Sequence, residues 1–172
     1  YYCPTYQGNP PTDEEKLKKS KQDRYIRYLE KVPRLELRAG RLVKKNESIL
    51  MMFSGILAYP CTIAKNSKAK EIYAVELNPY CHKFAQENIQ LNRLSNIKLF
   101  KGDVKKILPK IKKKFDRIIM PLPRNAESYL DLAIKSAKKG TIIHFYDFQL
   151  EQNIPKKSIE KIQKYIKKFK IL

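Results

Sequence analysis

The chain has 172 residues, 42% apolar and 31% charged, enough to bury a real hydrophobic core, which excludes extended disorder and a small disulfide scaffold. No run approaches the roughly eighteen uncharged apolar residues that a membrane span needs. The opening YYCPTYQGNPP has neither the basic nor the apolar region of a secretory leader.

Lys plus Arg number 37 against 17 Asp plus Glu, a formal net charge of +20, and a polyanionic partner follows naturally from that excess. The lysines come in short runs, KLKKSK, KKIL, KIKKK and KKFK, spread along the chain. That pattern implies a broad footprint on a folded body and suits bulk RNA better than a membrane. The competing explanation is a host whose proteins carry charged surfaces for heat stability. Cys3, Cys61 and Cys81 show no metal-ligand spacing and no even pairing, so neither a zinc site nor a disulfide framework is expected, and a reducing, cytoplasmic compartment is.

In chain order, Thr12 and Glu15 form a capping box after Pro10 and Pro11, opening a lysine-rich helix that Pro33 ends. Leu35, Leu37, Leu42 and Val43 suggest a second short helix ending near Asn46. Residues 1–46 thus read as a basic helical segment ahead of the main fold. Then an alternation begins. SILMMFS (48–54) is an apolar run of strand length closed by Gly55, and 56–65 is helical in pattern. EIYAV (71–75) closes on Glu76, with a helix from Pro79 to about Asn92. Residues 97–100 form a short strand ending at Gly102-Asp103, and 104–111 is amphipathic. FDRIIM (115–120) is a fourth strand, 125–137 a helix ended by Gly140, TIIHFY (141–146) a fifth strand, and 156–168 a last helix with Ile159, Ile162, Ile166 and Phe169 on one face. Strands alternating with helices predict a doubly wound, mostly parallel Rossmann-like α/β sheet over 47–172, with helices on both faces.

In such a sheet ligands bind where loops leave the carboxyl ends of the strands. Gly55 lets backbone approach a ligand there, although FSGILAYP has one glycine where a dinucleotide loop has three. Glu76 stands where an acid accepts both hydroxyls of a ribose, and Asp103 adds an acceptor where an adenine amino group is recognised. Each alone has a plain structural explanation, a turn glycine, a solvated acid or a helix cap. In order at successive strand ends they favour an adenosine-type ligand.

The stretch 48–148 resembles the class I S-adenosylmethionine methyltransferases, and within them the archaeal and eukaryotic tRNA guanine-37 N1-methyltransferases. The likeness rests on MMFSG, on YAVELNPYCHKFAQENIQLNRL followed by GDV, on FDRIIMPLPRNAESYLDLA and on GTIIHFYDF. Pro33-Arg34-Leu35 is similar to a segment that precedes this block in the family, and a sister group building the wybutosine side chain shares the cofactor block. The resemblance implies S-adenosylmethionine as cofactor and tRNA as partner. It places Phe53, Ser54 and Gly55 at the methionine end, Glu76 with Leu77 and Asn78 at the ribose, and Asp103 with Val104 at the adenine. It puts Pro121 and Pro123 where the family has an Asn-x-Pro element, at the mouth where methyl donor and base meet.

Guanine N1 carries a proton at neutral pH, so its methylation needs a general base within hydrogen-bond reach. The family's glutamate after Pro-Arg-Leu falls in register with Arg38, which leaves Glu36 as the nearby candidate base and Arg34 as a candidate for phosphate or developing charge. The acid common near the end of the first strand is replaced by Met51 or Met52. The family's N-terminal tRNA-recognition domain and the closing hairpin of the sheet have no counterpart here. A fragment, a loss of segments, or a partner chain that supplies an edge strand each account for that. His144 reads as a strand residue placed by the fold and His82 as a surface one. Phe145, Tyr146 and Phe148 are candidates for stacking on a base or for the core. Three functions follow as expectations: tRNA guanine-37 N1-methylation, a non-catalytic RNA-binding module on the same fold, and a wybutosine-pathway transfer with the same cofactor.

Overall fold

The computed structural model describes residues 40–122 and 125–172. The helix opening at Thr12 and the candidate residues Arg34, Glu36 and Pro123 lie outside them.

Five strands, β1 (Ser48–Met52), β2 (Glu71–Glu76), β3 (Ile97–Lys101), β4 (Phe115–Met120) and β5 (Ala137–Phe145), form one sheet in the order β3-β2-β1-β4-β5. Every pairing is parallel. The helices between and after them are α1 (Ala58–Asn66), α2 (Pro79–Leu91), α3 (Val104–Ile107), α4 (Leu130–Lys135) and α5 (Lys156–Gln163).

The apolar run of β1 dictates its central place, because a strand covered on both faces needs apolar side chains at successive positions. Ile49 and Met51 point into one core with Tyr59, Cys61 and Ile63 of α1 and Ala85 of α2. Leu50 and Met52 point into the other, with Val104 of α3 and Leu130 and Ala133 of α4. Helices therefore cover both faces, as the alternation predicted. Met51 and Met52 are fully buried, which explains apolar residues where an acid was a possibility: each burial contributes about 1.5–3 kcal/mol that a carboxylate would forfeit.

Five boundaries differ from the expectation. β1 stops at Met52 because Phe53 turns left-handed at φ 62, and α1 starts only at Ala58 because Leu57 does so at φ 73. The helix expected over 125–137 becomes a 3-10 turn (Ala126–Tyr129) followed by the short α4, and β5 begins at Ala137 rather than Thr141. Phe115 pairs with Ala137 before a register shift. The extra residues loop out at Lys138–Gly140 and are closed by Thr141, whose hydroxyl accepts from Lys138 N–H (2.8 Å) and donates to Phe115 C=O (2.7 Å). The last helix ends at Gln163 instead of 168. Ile159 and Ile162 are half-buried, but Phe169 is 38% exposed and 167–172 are all exposed, so no apolar face holds further turns. Cys81 at the start of α2 takes part in a disulfide, a single bridge in a chain for which no disulfide framework was expected.

Among the described residues one charged side chain is buried in mid-strand, that of Arg117, which is 1% exposed. Its Nε and Nη2 donate to the two Glu47 oxygens (2.8 and 3.1 Å), Nη2 donates also to Leu42 C=O (2.7 Å), and Nη1 lies 2.8 Å from His144 Nε2. Full pairing is what makes a buried guanidinium tolerable. Burial, reinforced by the Arg117 charge, lowers the His144 pKa to about 4, so His144 is neutral and Nε2 accepts. This is the structural role its place in β5 suggested.

Candidate functional site

Because all strands run the same way, five loops meet at one edge of the sheet. The β1–α1 loop is built from alternating left-handed residues, Phe53, Gly55 and Leu57 at φ 62, 56 and 73. It is pinned from three sides. Ser54 N–H donates to Val75 C=O (2.9 Å), Leu57 N–H to Ser54 C=O (3.0 Å), and Asn88 of α2 reaches across to donate its amide to Ile56 C=O (2.7 Å). A Cβ added at Gly55 would meet nothing within 4 Å. The space over that backbone is open, while the left-handed φ itself favours glycine.

Glu76 joins three loops. One carboxylate oxygen accepts Gly55 N–H at 2.6 Å, the other accepts Asn78 N–H at 2.7 Å, and its backbone carbonyl accepts Gly102 N–H at 2.8 Å. The residue is 9% exposed. A carboxylate offers about four acceptor positions, so roughly two remain for a ligand diol after the two N–H groups.

Asn78 caps α2, its side-chain oxygen accepting Tyr80 and Cys81 N–H at 2.9 and 3.3 Å, and Leu77 beside it is 67% exposed. Asp103 caps α3 through Lys105 N–H (2.8 Å), with Val104 buried behind it. The plain explanation of Asp103 as a helix cap is thus true, and the capping uses one of its two oxygens. Pro121 and Leu122 are half-buried at the end of β4.

Sequence reasoning missed several participants. Tyr129 packs edge-on against Phe53 with ring centroids 4.8 Å apart, and Lys105 Nζ lies 5.1 Å from the Tyr129 ring centre. The Tyr59 and Tyr146 hydroxyls are 2.7 Å apart, tying α1 to the end of β5. Of the three aromatics at that end, Phe145 and Tyr146 pack on the cores and Phe148 stays 74% exposed. His82 is half-buried, its pKa lowered by burial and by Lys101. No spacing rule flags Tyr129 or Asn88, because each acts through a partner distant in the chain.

One atom here lacks a partner: the Ser54 hydroxyl is buried with no hydrogen bond. A buried orphan in a loop held by several backbone bonds points to a polar group that completes it. Open backbone at Gly55, an orphan hydroxyl beside it and spare acceptors at Glu76 together fit the amino-acid and ribose parts of a nucleoside that carries a free amino-acid group. Among the described residues no group of acids, cysteines and histidines could hold a metal ion.

The chain's relatives bear on this site. Pyrococcus abyssi tRNA (guanine(37)-N(1))-methyltransferase Trm5b is 34% identical over 80% of this chain and 41% of its own length. Saccharolobus solfataricus tRNA 4-demethylwyosine(37)-methyltransferase Taw21 is 34% identical over 69% of this chain and 45% of its own. The crystal structure of M. jannaschii TYW2 in complex with AdoMet superposes with a TM-score of 0.71 at 29% identity, covering 77% of this chain and 59% of that one. The chain spans about half the length of the relatives it matches. Residues 25–172 match the model of the TRM5/TYW2 methyltransferase domain, and with its parallel sheet and linked strand-end motifs the chain belongs to that family.

Proposed function

We propose that the chain is the S-adenosylmethionine-binding part of a tRNA methyltransferase acting on N1 of guanine-37. The observation that carries this is Glu76, a buried carboxylate held by two backbone N–H groups with acceptor capacity left for a ribose. In this reading 47–172 is the cofactor-binding unit, and the basic 1–46 segment brings Arg34 and Glu36 to its mouth. Phe53, Ser54 and Gly55 receive the methionine end, Glu76 the ribose, and Leu77 and Asn78 the ribose side of the ring. Asp103 and Val104 frame the adenine, with Tyr129 closing the wall behind Phe53.

S-adenosylmethionine bound there supplies an electrophilic methyl group. Pro121 and Pro123 hold backbone carbonyls rigid where they can accept from a guanine edge. Glu36 takes the N1 proton, Arg34 holds phosphate, and the exposed Phe148 ring flanks the base by stacking. A tRNA substrate puts this work in the cytoplasm.

Calorimetric titration with S-adenosylmethionine and its demethylated product tests the site. Saturable binding is expected, weakened about 10- to 100-fold by Glu76→Ala and by Asp103→Ala, since each removes a hydrogen bond to a charged acceptor worth about 1.5–3 kcal/mol. Near-wild-type affinity in both variants would remove the assignment. Identity to Taw21 as high as to Trm5b supports a second reading, transfer to a wyosine-type base at the same position. Mass analysis of tRNA carrying guanine or 4-demethylwyosine at position 37 separates the two.

A further inference from the structure

Among the described residues the lysines are distributed unevenly over the fold. The described loops leaving the carboxyl ends of the strands, 53–57, 77–78, 102–103, 121–122 and 146–150, contain no lysine or arginine, with only Lys101 closing β3 and Lys105 beside the Asp103 turn. The opposite edge is dense with lysine. Lys44 and Lys45 precede β1, and Lys68 and Lys70 precede β2. Lys112, Lys113 and Lys114 precede β4, and Lys138 and Lys139 sit in the looped-out head of β5. General lysine enrichment would load both edges alike.

The acids at this edge are already engaged. Glu47 is bonded to Arg117, Glu71 to Lys98 and Lys113, and Asp116 to Lys138. The cations hold the Glu71 carboxyl down to about 2, the Lys113 hydrogen bond foremost. Lys44, Lys45, Lys68, Lys70, Lys112 and Lys139 are exposed and have no acidic partner among the described residues. Two grooves open between them. One of about 380 Å³ is lined by Lys44, Lys45, Lys138 and Lys139 with Asn46 and Thr141; the other, about 450 Å³, by Lys112–Lys114 and Lys135. Neither is lined by an aromatic ring to stack a base; the first, largely polar, suits phosphates, and the second has Leu108, Ile111 and Leu132 beneath its lysine rim.

We propose that this amino-terminal edge is a second RNA-binding surface, gripping the phosphate backbone of a helical part of the same tRNA whose target base enters at the carboxyl edge. The proposal rests on the tRNA reading above. Strands of five or six residues separate the edges by about 20 Å, so a small polyanion cannot touch both and a folded RNA can. Adjacent strands spaced by about 4.8 Å give the edge a width of roughly 20 Å, room for several phosphates.

The test is tRNA binding by the full chain across a salt series, compared with the variant carrying Lys44→Gln, Lys45→Gln, Lys112→Gln and Lys139→Gln. None of these four touches the cofactor loops, so unchanged affinity for S-adenosylmethionine certifies the variant's fold. The variant should bind tRNA at least about 10-fold more weakly at 0.1 M salt, with the slope of log affinity against log salt shallower by up to about 3.6, near 0.9 for each of four phosphates no longer neutralised. Wild-type affinity and slope in a folded variant would overturn the second surface and leave the tRNA reading standing. No tRNA binding by the unaltered chain, with cofactor binding intact, would overturn both.

Discussion

At Ser54 the hydroxyl is buried and unbonded, 22 residues before the Glu76 carboxylate whose two oxygens are each partly occupied. Both belong to the proposed cofactor loop, but removal should affect folding in opposite directions. Glu76→Ala frees two loop N–H groups and loosens the fold. Ser54→Ala discards a hydroxyl that nothing in the unliganded chain satisfies, and a buried unsatisfied polar group costs about 1–3 kcal/mol. The melting temperature of the ligand-free Ser54→Ala chain should therefore stay level or rise while its affinity for S-adenosylmethionine falls several-fold. A variant both less stable and equal in affinity would show that the hydroxyl serves the fold.

Among the elements, those with the strongest periodicity were legible: β1, β2 and β4 are apolar runs of strand length, and α2 announces itself by Asn78 as cap and Pro79 in the first turn. The head of β5 was not, since AKKG has neither strand propensity nor alternation. It becomes strand because Phe115 N–H, already in the sheet, donates to Ser136 C=O at 2.9 Å. The site divides the same way. The strand-end placement of Gly55, Glu76 and Asp103 was legible because it follows from the alternation of strands and helices; the bond from Asn88 was not, because it reaches a different element.

That reach makes a prediction at the element scale. Asn88 is 6% exposed and its amide is what fastens α2 to the β1–α1 loop. Asn88→Ala should cost about 1–3 kcal/mol and speed hydrogen exchange at Gly55 and Leu57. It should also weaken cofactor binding although Asn88 lies behind the loop. Unchanged exchange there would mean that Glu76 and the loop's backbone bonds fix it without Asn88.

For the whole molecule, two buried charge clusters set the response to acid, and their windows differ. His144 titrates near 4 in the fold against an ordinary 6.5. Because the unfolded chain takes up that proton first, stability declines as pH falls from about 6.5 to 4, by about 3 kcal/mol at most at 1.36 kcal/mol per pH unit. Glu71 titrates near 2 against 4.5. The stability its lysine pairs contribute is present above 4.5 and is lost as pH falls from 4.5 toward 2. Asp116 and Asp147, also lowered, lose theirs on that same lower limb. Denaturant unfolding of the intact chain between pH 7 and 2.5 should therefore show a shallow upper limb and a steeper lower one. His144→Gln leaves an oxygen to accept from Arg117 but no proton to gain, so it should flatten the upper limb and spare the lower. Glu71→Gln should do the reverse. If His144→Gln leaves the upper limb unchanged, then Glu47 and Arg117 shield the imidazole from acid in the fold, and that limb belongs to another group.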